Sequence, residues 1–488
     1  MGSPIAVQGA QNIPARRSSS PLTPWLMVGL VGSIGLAVTG TSVGSVTEPN
    51  HALWWFSIPN GQSVLVTTLF YLSVALLIVG WLGVGRLARK GLLTTRWAWL
   101  ILVAWGVPLF LGPPLFSRDI YSYIGQGLLA HHGLNPYSVP PKALGQGPLL
   151  SSIASVWRST ASPYGPLFVG AANVVAGVAG RSLVAQVLAF RVLELVGVIL
   201  IMVSLPRLAR HLGTDPGIAL WLGALSPLAL FSFIASGHND ALMMGLLLAG
   251  VTVAVEGRLA WGVALCALAA TVKLPAAAAI VFLAVDQFQT AQGTRRWRVL
   301  AEAVLVPVVV LVAVTAIVGL GWTWLGPSAL HVPTELKVLS TPAVALGVFF
   351  AHLLHAIDIP VSQATMITVA QYVCGAGAVL SSLWLVVNAH KLDVIRALGI
   401  ALLLIVVGGP TVWPWYLMWG LSFLAATTTQ RSKLLAAVAA LAMLVVGPSG
   451  HPLLNGNVYL VVALVTLGAC VWLARHRHWY RVASGYAS

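Results

Sequence analysis

Ser117-Arg118-Asp119, followed by Tyr121 and Tyr123, puts a carboxylate, a cation and two aromatic rings into about one helical turn. That set suits a general base, a carboxylate placed to take the proton from a sugar hydroxyl with rings beside it for stacking. The competing role for Asp119 is a helix cap, since GPPLFSRD stands just ahead of the helical pattern IYSYIGQGLLA. Other polar residues carry the same double reading. Lys273 in TVKLPA either snorkels to a membrane interface or holds a lipid phosphate as a point charge. His238-Asn239-Asp240 either caps a helix or orients sugar hydroxyls or a phosphate at that helix N-terminus. Trp413, Trp415 and Tyr416 are either interfacial aromatics or a platform for carbohydrate. Arg191 and Glu194, three apart in an apolar segment, are expected to form an intrahelical ion pair. His352 and His355 have the same spacing but no carboxylate near them, so a metal set is not supported.

The elements that must position these groups are membrane helices. Of 488 residues 58% are hydrophobic and only 8% charged, which excludes a soluble globular domain. The apolar runs of about 15 to 25 residues suit helices crossing a hydrocarbon core of ~30 Å, and barrel strands would be shorter and alternating. An all-α polytopic membrane protein follows. The net charge of +15 has no basic run on a soluble fold beside it, so nucleic acid is not expected as a partner. Cys266, Cys374 and Cys470 lie in apolar segments without CxxC spacing, which supports neither a disulfide framework nor a zinc site.

Sorting the 26 Lys and Arg residues by side gives a topology. With Arg16 and Arg17 in the cytoplasm, nineteen basic residues fall inside and six outside, Arg118, Arg158 and Lys273 among the six. This positive-inside asymmetry requires that the apolar pieces 165–180 and 343–357 do not fully cross. It gives about 12 to 14 spans and two cytoplasmic termini. The expected divisions are a disordered tail over 1–22, one membrane domain over 23–475 with outer loops at 112–182 and 321–360, and a basic tail over 476–488. Asp119, Asp240, His131, His132, His238, Arg118, Arg158, Lys273 and the Trp413 cluster then share the outer face. There a substrate with an apolar tail and a polar head would be handled.

In chain order, SRDIYSYIGQG with GLNPYSVPP, then SPYGPLF, SGHNDAL, VKLP and PTVWPWYLMW resemble the GT-C superfamily of polyprenyl-phosphate-sugar glycosyltransferases. Within it the chain is most similar to the actinobacterial α-(1→6)-mannopyranosyltransferases that extend the mannan of lipomannan and lipoarabinomannan, over about residues 25–475. The resemblance implies a GT-C membrane fold and Asp119 as catalytic base. It implies a polyprenyl-phosphate-mannose donor, a lipid-anchored mannan acceptor and inverting transfer. The donor phosphate would be met by Lys273, Arg118, Arg158 or His238. Tyr121, Tyr123, Tyr164, Asn239, Asp240, Trp413, Trp415 and Tyr416 are the candidates for holding sugar. A monophosphate leaving group needs no metal, and no cofactor is firmly implied. The chain departs from related patterns in having no DxD sequence, so the base acts alone or with Asp240, and its short basic tail is expected to carry no further outer domain. Two alternatives stand beside this one. Another lipid-linked donor would make the chain an arabinofuranosyl or protein O-mannosyl transferase. A transporter or flippase would place charges at mid-membrane and show related halves, whereas here polar residues gather on one face.

Overall fold

A computed structural model of the chain describes residues 20–46, 63–326, 341–427, 434, 437, 438, 440–451 and 458–475. The expected tail over 476–488, all but the last three residues of the tail over 1–22, and residues 327–340 of the second loop lie outside the described residues, as do Arg431, Lys433 and the side chain of Cys470.

Helices are the only regular elements among the described residues. In order they are α1 (Thr23–Val43), α2 (Val64–Ala88), α3 (Thr95–Leu111), α4 (Asp119–His131), α5 (Pro166–Ala179), α6 (Leu183–His211), α7 (Pro216–Gly223) and α8 (Asp240–Val255). They continue with α9 (Leu259–Ala270), α10 (Ala278–Thr290), α11 (Arg295–Val318), α12 (Pro342–His355), α13 (Gln363–Val387), α14 (Val394–Gly408), α15 (Met418–Ala425) and α16 (Tyr459–Arg475). Five of these, α1, α2, α6, α11 and α13, are long and apolar enough to cross a membrane. A sixth span is formed if α7 and the helical piece Pro227–Ala235, bent by 49°, count as one. Shorter apolar helices make up the rest, and the chain is an all-α, multi-pass membrane protein. Helices α5 and α12, from the two pieces expected not to cross, have 14 residues each, about 21 Å and short of the ~30 Å hydrocarbon core.

Local sequence accounts for many of the starts. Ser63, Thr94, Ser182, Asp215 and Ser362 each accept a backbone N–H of the first turn of the helix they precede. This matters in lipid, where no water satisfies an orphan donor.

Two contacts set the architecture around the candidate site. Helices α6 and α8 cross backbone to backbone at Gly197 and Gly245, where a Cβ on Gly197 would run into the Ala241 carbonyl and one on Gly245 into Gly197 itself. Helix α4 lies on α5, and the start of α5 is tied to the end of α9 by Gly165 N–H donating to Val272 O and Leu167 N–H to Thr271 O, both at 3.0 Å. The SPYGPLF and VKLP segments are therefore neighbours.

Gly197→Ala should push α6 and α8 apart and cost about 1–3 kcal/mol as an overpacked contact does. Gly377→Ala, on an exposed stretch of α13 with nothing within 4 Å of the added Cβ, should not destabilise the protein and should gain up to about 1 kcal/mol of helix propensity. Thermal unfolding of the two variants in the same detergent checks the difference.

Candidate active site

Asp119 is the first residue of α4, yet its carboxylate does not cap the helix. Ser117 Oγ accepts the Asp119 backbone N–H at 3.1 Å, and the carboxylate turns inward. Trp157 Nε1 donates to Asp119 Oδ1 at 3.0 Å, and His238 Nδ1 stands 3.5 Å from Oδ2. Only 15% of the Asp119 side chain is exposed. Burial pushes its pKa up to about 6, against the opposing pull of the Lys273 charge and the Trp157 hydrogen bond. Burial also holds His238 down at about 3, so its imidazole is neutral. Its Nδ1 faces the Asp119 carboxylate and stands 3.4 Å from the Tyr123 hydroxyl. Protonated there, the ring leaves Nε2 as an acceptor, and Nε2 is buried without a partner among the described residues.

The His238 ring is the inner member of an aromatic stack. Trp415 lies on it at 4.0 Å between centroids, and Trp413 on Trp415 at 4.9 Å with planes 8° apart. Trp415 is thus sandwiched, and the half-buried Trp413 carries the stack's outer face.

Beside this stack sits a buried ion pair. Lys273 Nζ donates to both oxygens of Asp240, at 3.0 and 2.9 Å, and Trp419 Nε1 donates to Asp240 Oδ1 at 2.6 Å. The ammonium also lies 4.7 Å from the Tyr416 ring centroid, 5.5 Å from Trp419 and 5.6 Å from Tyr164. Lys273 does not snorkel and Asp240 does not cap. Each is spent on the other, as a charge buried away from water requires.

Asn239 accepts from the Tyr123 hydroxyl at 3.4 Å, and its Nδ2 is buried without a partner among the described residues. Arg158 is tethered to its own loop, donating to the carbonyls of Ile153 and Ser151 at 2.9 Å each. Burial first, and the neighbouring Arg158 charge as well, hold Arg118 below its usual pKa. Its Nε has no partner among the described residues. The unpartnered Arg118 Nε, with the Arg158 charge acting on it, is a donor suited to an anion.

The chain reaches Asp119 through a strained residue. Phe116 has φ 63°, a left-handed value that costs a non-glycine residue about 1–3 kcal/mol. It is held by its N–H donating to Pro448 O at 2.7 Å and by its ring against Phe70 and Phe231.

The structure brings Asp119, Tyr123, Tyr164, His238, Asn239, Asp240, Lys273, Trp413, Trp415 and Tyr416 together, with Arg118 and Arg158 at the Asp119 end. Several expectations need correction. Tyr121, two residues after Asp119 and so on the other side of α4, is packed in the core at 2% exposure and offers no ring to a sugar, and Tyr123 at 0% and Tyr164 at 5%, packed edge-on against each other and Phe168, offer none either. Trp415, covered on both faces, offers none either. Arg191 and Glu194 do not pair with each other: Arg191 donates to the carbonyls of Phe110, Gly112 and Ala235, and Glu194 accepts from Leu242 N–H. Sequence reasoning passed over Trp157 and Trp419, the indole donors to the two carboxylates. Trp419 stands in the WPWYLMW run, four residues after Trp415 on one helical face, and Trp157 is the one aromatic in SSIASVWRS. Among the described residues no three His, Cys, Asp or Glu side chains are grouped to share a metal ion.

Trp157→Phe removes a hydrogen bond to the charged form of Asp119, so the carboxyl should titrate at higher pH than in the parent protein, above about 6. The carboxylic C=O band assigned by difference infrared against Asp119→Asn measures this, and an unmoved band would mean that the indole does not stabilise the carboxylate.

Comparison with known proteins returns one consistent neighbourhood. Residues 26–289 match the family description "Alpha-(1->6)-mannopyranosyltransferase, N-terminal domain", and residues 343–477 match the MptB C-terminal domain. Alpha-(1->6)-mannopyranosyltransferase A of Mycobacterium tuberculosis is 31% identical over 87% of this chain and 84% of its own length. A second alpha-(1->6)-mannopyranosyltransferase of that organism is 30% identical over 90% of this chain and 84% of its own. A probable alpha-(1->6)-mannopyranosyltransferase of Mycolicibacterium smegmatis is 30% identical over 91% and 86%. No solved structure matches the chain.

Proposed function

We propose, from the premise that this chain belongs to the α-(1→6)-mannopyranosyltransferase family, that it is a mannosyltransferase with Asp119 as its general base. The observation that carries the assignment is the setting of Asp119. It is a nearly enclosed carboxylate with a pKa raised to about 6, held by Trp157 and His238 and still 15% open to a ligand. A base with a pKa just below neutral is ionised at working pH and still basic enough to accept a proton.

The donor in this reading is a polyprenyl-phosphate mannose and the acceptor an α-(1→6)-mannan of the lipomannan or lipoarabinomannan type. The acceptor's 6-hydroxyl oxygen attacks the anomeric carbon from the face opposite the phosphate, its proton passes to Asp119, and the carbon–oxygen bond to phosphate breaks. The products are an inverted, α-linked mannoside and polyprenyl phosphate. In this reading Arg118, whose Nε has no partner among the described residues, and the tethered Arg158 meet the departing phosphate charge. Lys273, already held by Asp240, adds its field to the site and favours the ionised form of Asp119. His238 Nε2, an unpartnered acceptor, suits a sugar hydroxyl better than a phosphate, and so does Asn239 Nδ2 as a donor. Trp413 and Tyr416, both half-buried, supply the ring surfaces. The basic-residue asymmetry supports an extracytoplasmic site in the plasma membrane with cytoplasmic termini.

Two measurements test this on membranes supplied with radiolabelled polyprenyl-phosphomannose and a short α-(1→6)-mannoside. Asp119→Asn should lower transfer by roughly 10²- to 10⁴-fold, the usual worth of a general base, with the protein still folded. In the parent protein, kcat/KM should fall as pH drops through about 6, because the base is then protonated. Near-parental transfer by folded Asp119→Asn would remove Asp119 from the role.

A further inference from the structure

Among the described residues helix α6 makes no hydrogen bond to Asp119 or Lys273, yet two of its buried side chains reach three of the helix ends from which the site is built. Arg191 Nη1 donates to Phe110 O and Gly112 O, both at 2.5 Å, and its Nη2 donates to Ala235 O. Phe110 and Gly112 close α3, and the chain runs from there through Phe116 to Asp119. Ala235 closes the π-helical turn Leu230–Ala235, and His238 follows directly. One turn along α6, Glu194 Oε2 accepts the Leu242 N–H at 3.0 Å, in the first turn of the helix that Asp240 opens. A cation therefore meets two helix C-termini and an acid meets one helix N-terminus, each the sign that the helix dipole favours.

Both side chains are almost completely buried, Arg191 at 1% and Glu194 at 0% exposure. Ion pairing does not account for them, since among the described residues Arg191 has no carboxylate partner. The stem of Arg191 also supports the Gly237 turn. Gly237 has φ +68°, and a Cβ there would meet Ile120 Cδ1 at 2.8 Å and Arg191 Cγ at 3.3 Å. A further bond, Ser236 Oγ donating to Leu115 O at 2.6 Å, joins the same two segments just below the Asp119 and His238 pair.

We propose that Arg191 and Glu194 are paired positioning residues: the guanidinium fixes the separation of the Asp119 and His238 segments, and the carboxylate fixes the start of the Asp240 helix. Neither touches substrate. Their effect is on the rate of the chemical step, because a general base displaced by about 1 Å can lose two orders of magnitude while binding persists. This rests on the assignment of Asp119 as base, and the experiment separates the two claims.

Purified full-length variants are assayed with the donor and mannoside above, with rates expressed per folded molecule from thermal unfolding in detergent. Arg191→Lys keeps the charge but cannot span three carbonyls. It should lower kcat roughly 10- to 100-fold with donor and acceptor KM within about threefold, and should move the Asp119 carboxyl titration seen by infrared. Glu194→Gln keeps an acceptor for Leu242 N–H and should stay within about threefold of parental kcat, whereas Glu194→Leu should lose at least about tenfold. Parental kcat and an unmoved Asp119 titration in folded Arg191→Lys overturn the proposal. So does an equal loss in Glu194→Gln and Glu194→Leu, or losses that vanish once rates are expressed per folded molecule. Should Arg191→Lys yield no folded protein, the Glu194 pair decides. If Asp119→Asn keeps full activity the base assignment falls, and the infrared titration in Arg191→Lys still reports whether the segment has moved.

Discussion

A lysine and an aspartate taken out of water together set the terms for the rest of this site. The Lys273–Asp240 pair is tolerable only because its hydrogen bonds are satisfied, by each other and by Trp419, and because three aromatic rings take the remaining field of the ammonium. Removing either member would strand the other at a cost of about 3–5 kcal/mol. The pair joins the SGHND turn to the VKLP helix end, Tyr164 brings in the SPYGP segment, and Tyr416 and Trp419 bring in the WPWYLMW run. Asp119 is then placed in the field this pair creates.

Two carboxylates close in space are thereby given different roles by their surroundings. Asp240 has a bidentate cation and an indole, which hold it in a structural role. Asp119 has one indole, one neutral imidazole and a residual opening, and burial lifts its pKa toward the pH at which it would work. Divergence between neighbouring acids is how a site divides labour between holding and reacting.

The scaffold reaches this arrangement by accepting local costs. Helices α6 and α8 touch at glycines, which sacrifices side-chain packing so that Glu194 can reach the start of the Asp240 helix. Phe116 takes a left-handed conformation on the approach to Asp119, pinned by a carbonyl from Pro448 far along the chain. A helix that ends inside a membrane protein leaves its last carbonyls free, with little water to satisfy them. Arg191 supplies the donors for three at once.

The all-α membrane class, the helix runs and the polar segments were legible in the sequence because lipid imposes them one segment at a time: apolar length, capping residues and the rarity of acids are all local signals. Asp119, Lys273, Asp240 and the Trp413 cluster could be singled out for the same reason, as residues whose burial needs explanation. The partners were not legible. Whether Asp119 caps α4 or turns to Trp157, whether Lys273 snorkels or meets Asp240, and whether Arg191 pairs with Glu194 or with three distant carbonyls are choices between local and long-range hydrogen bonds of similar strength. Spacing along the chain speaks only for the local ones. Which groups must be buried without water follows from the order of residues along the chain, whereas which of them satisfy one another follows only from the fold, because that depends on how closely helices far apart in the chain can approach.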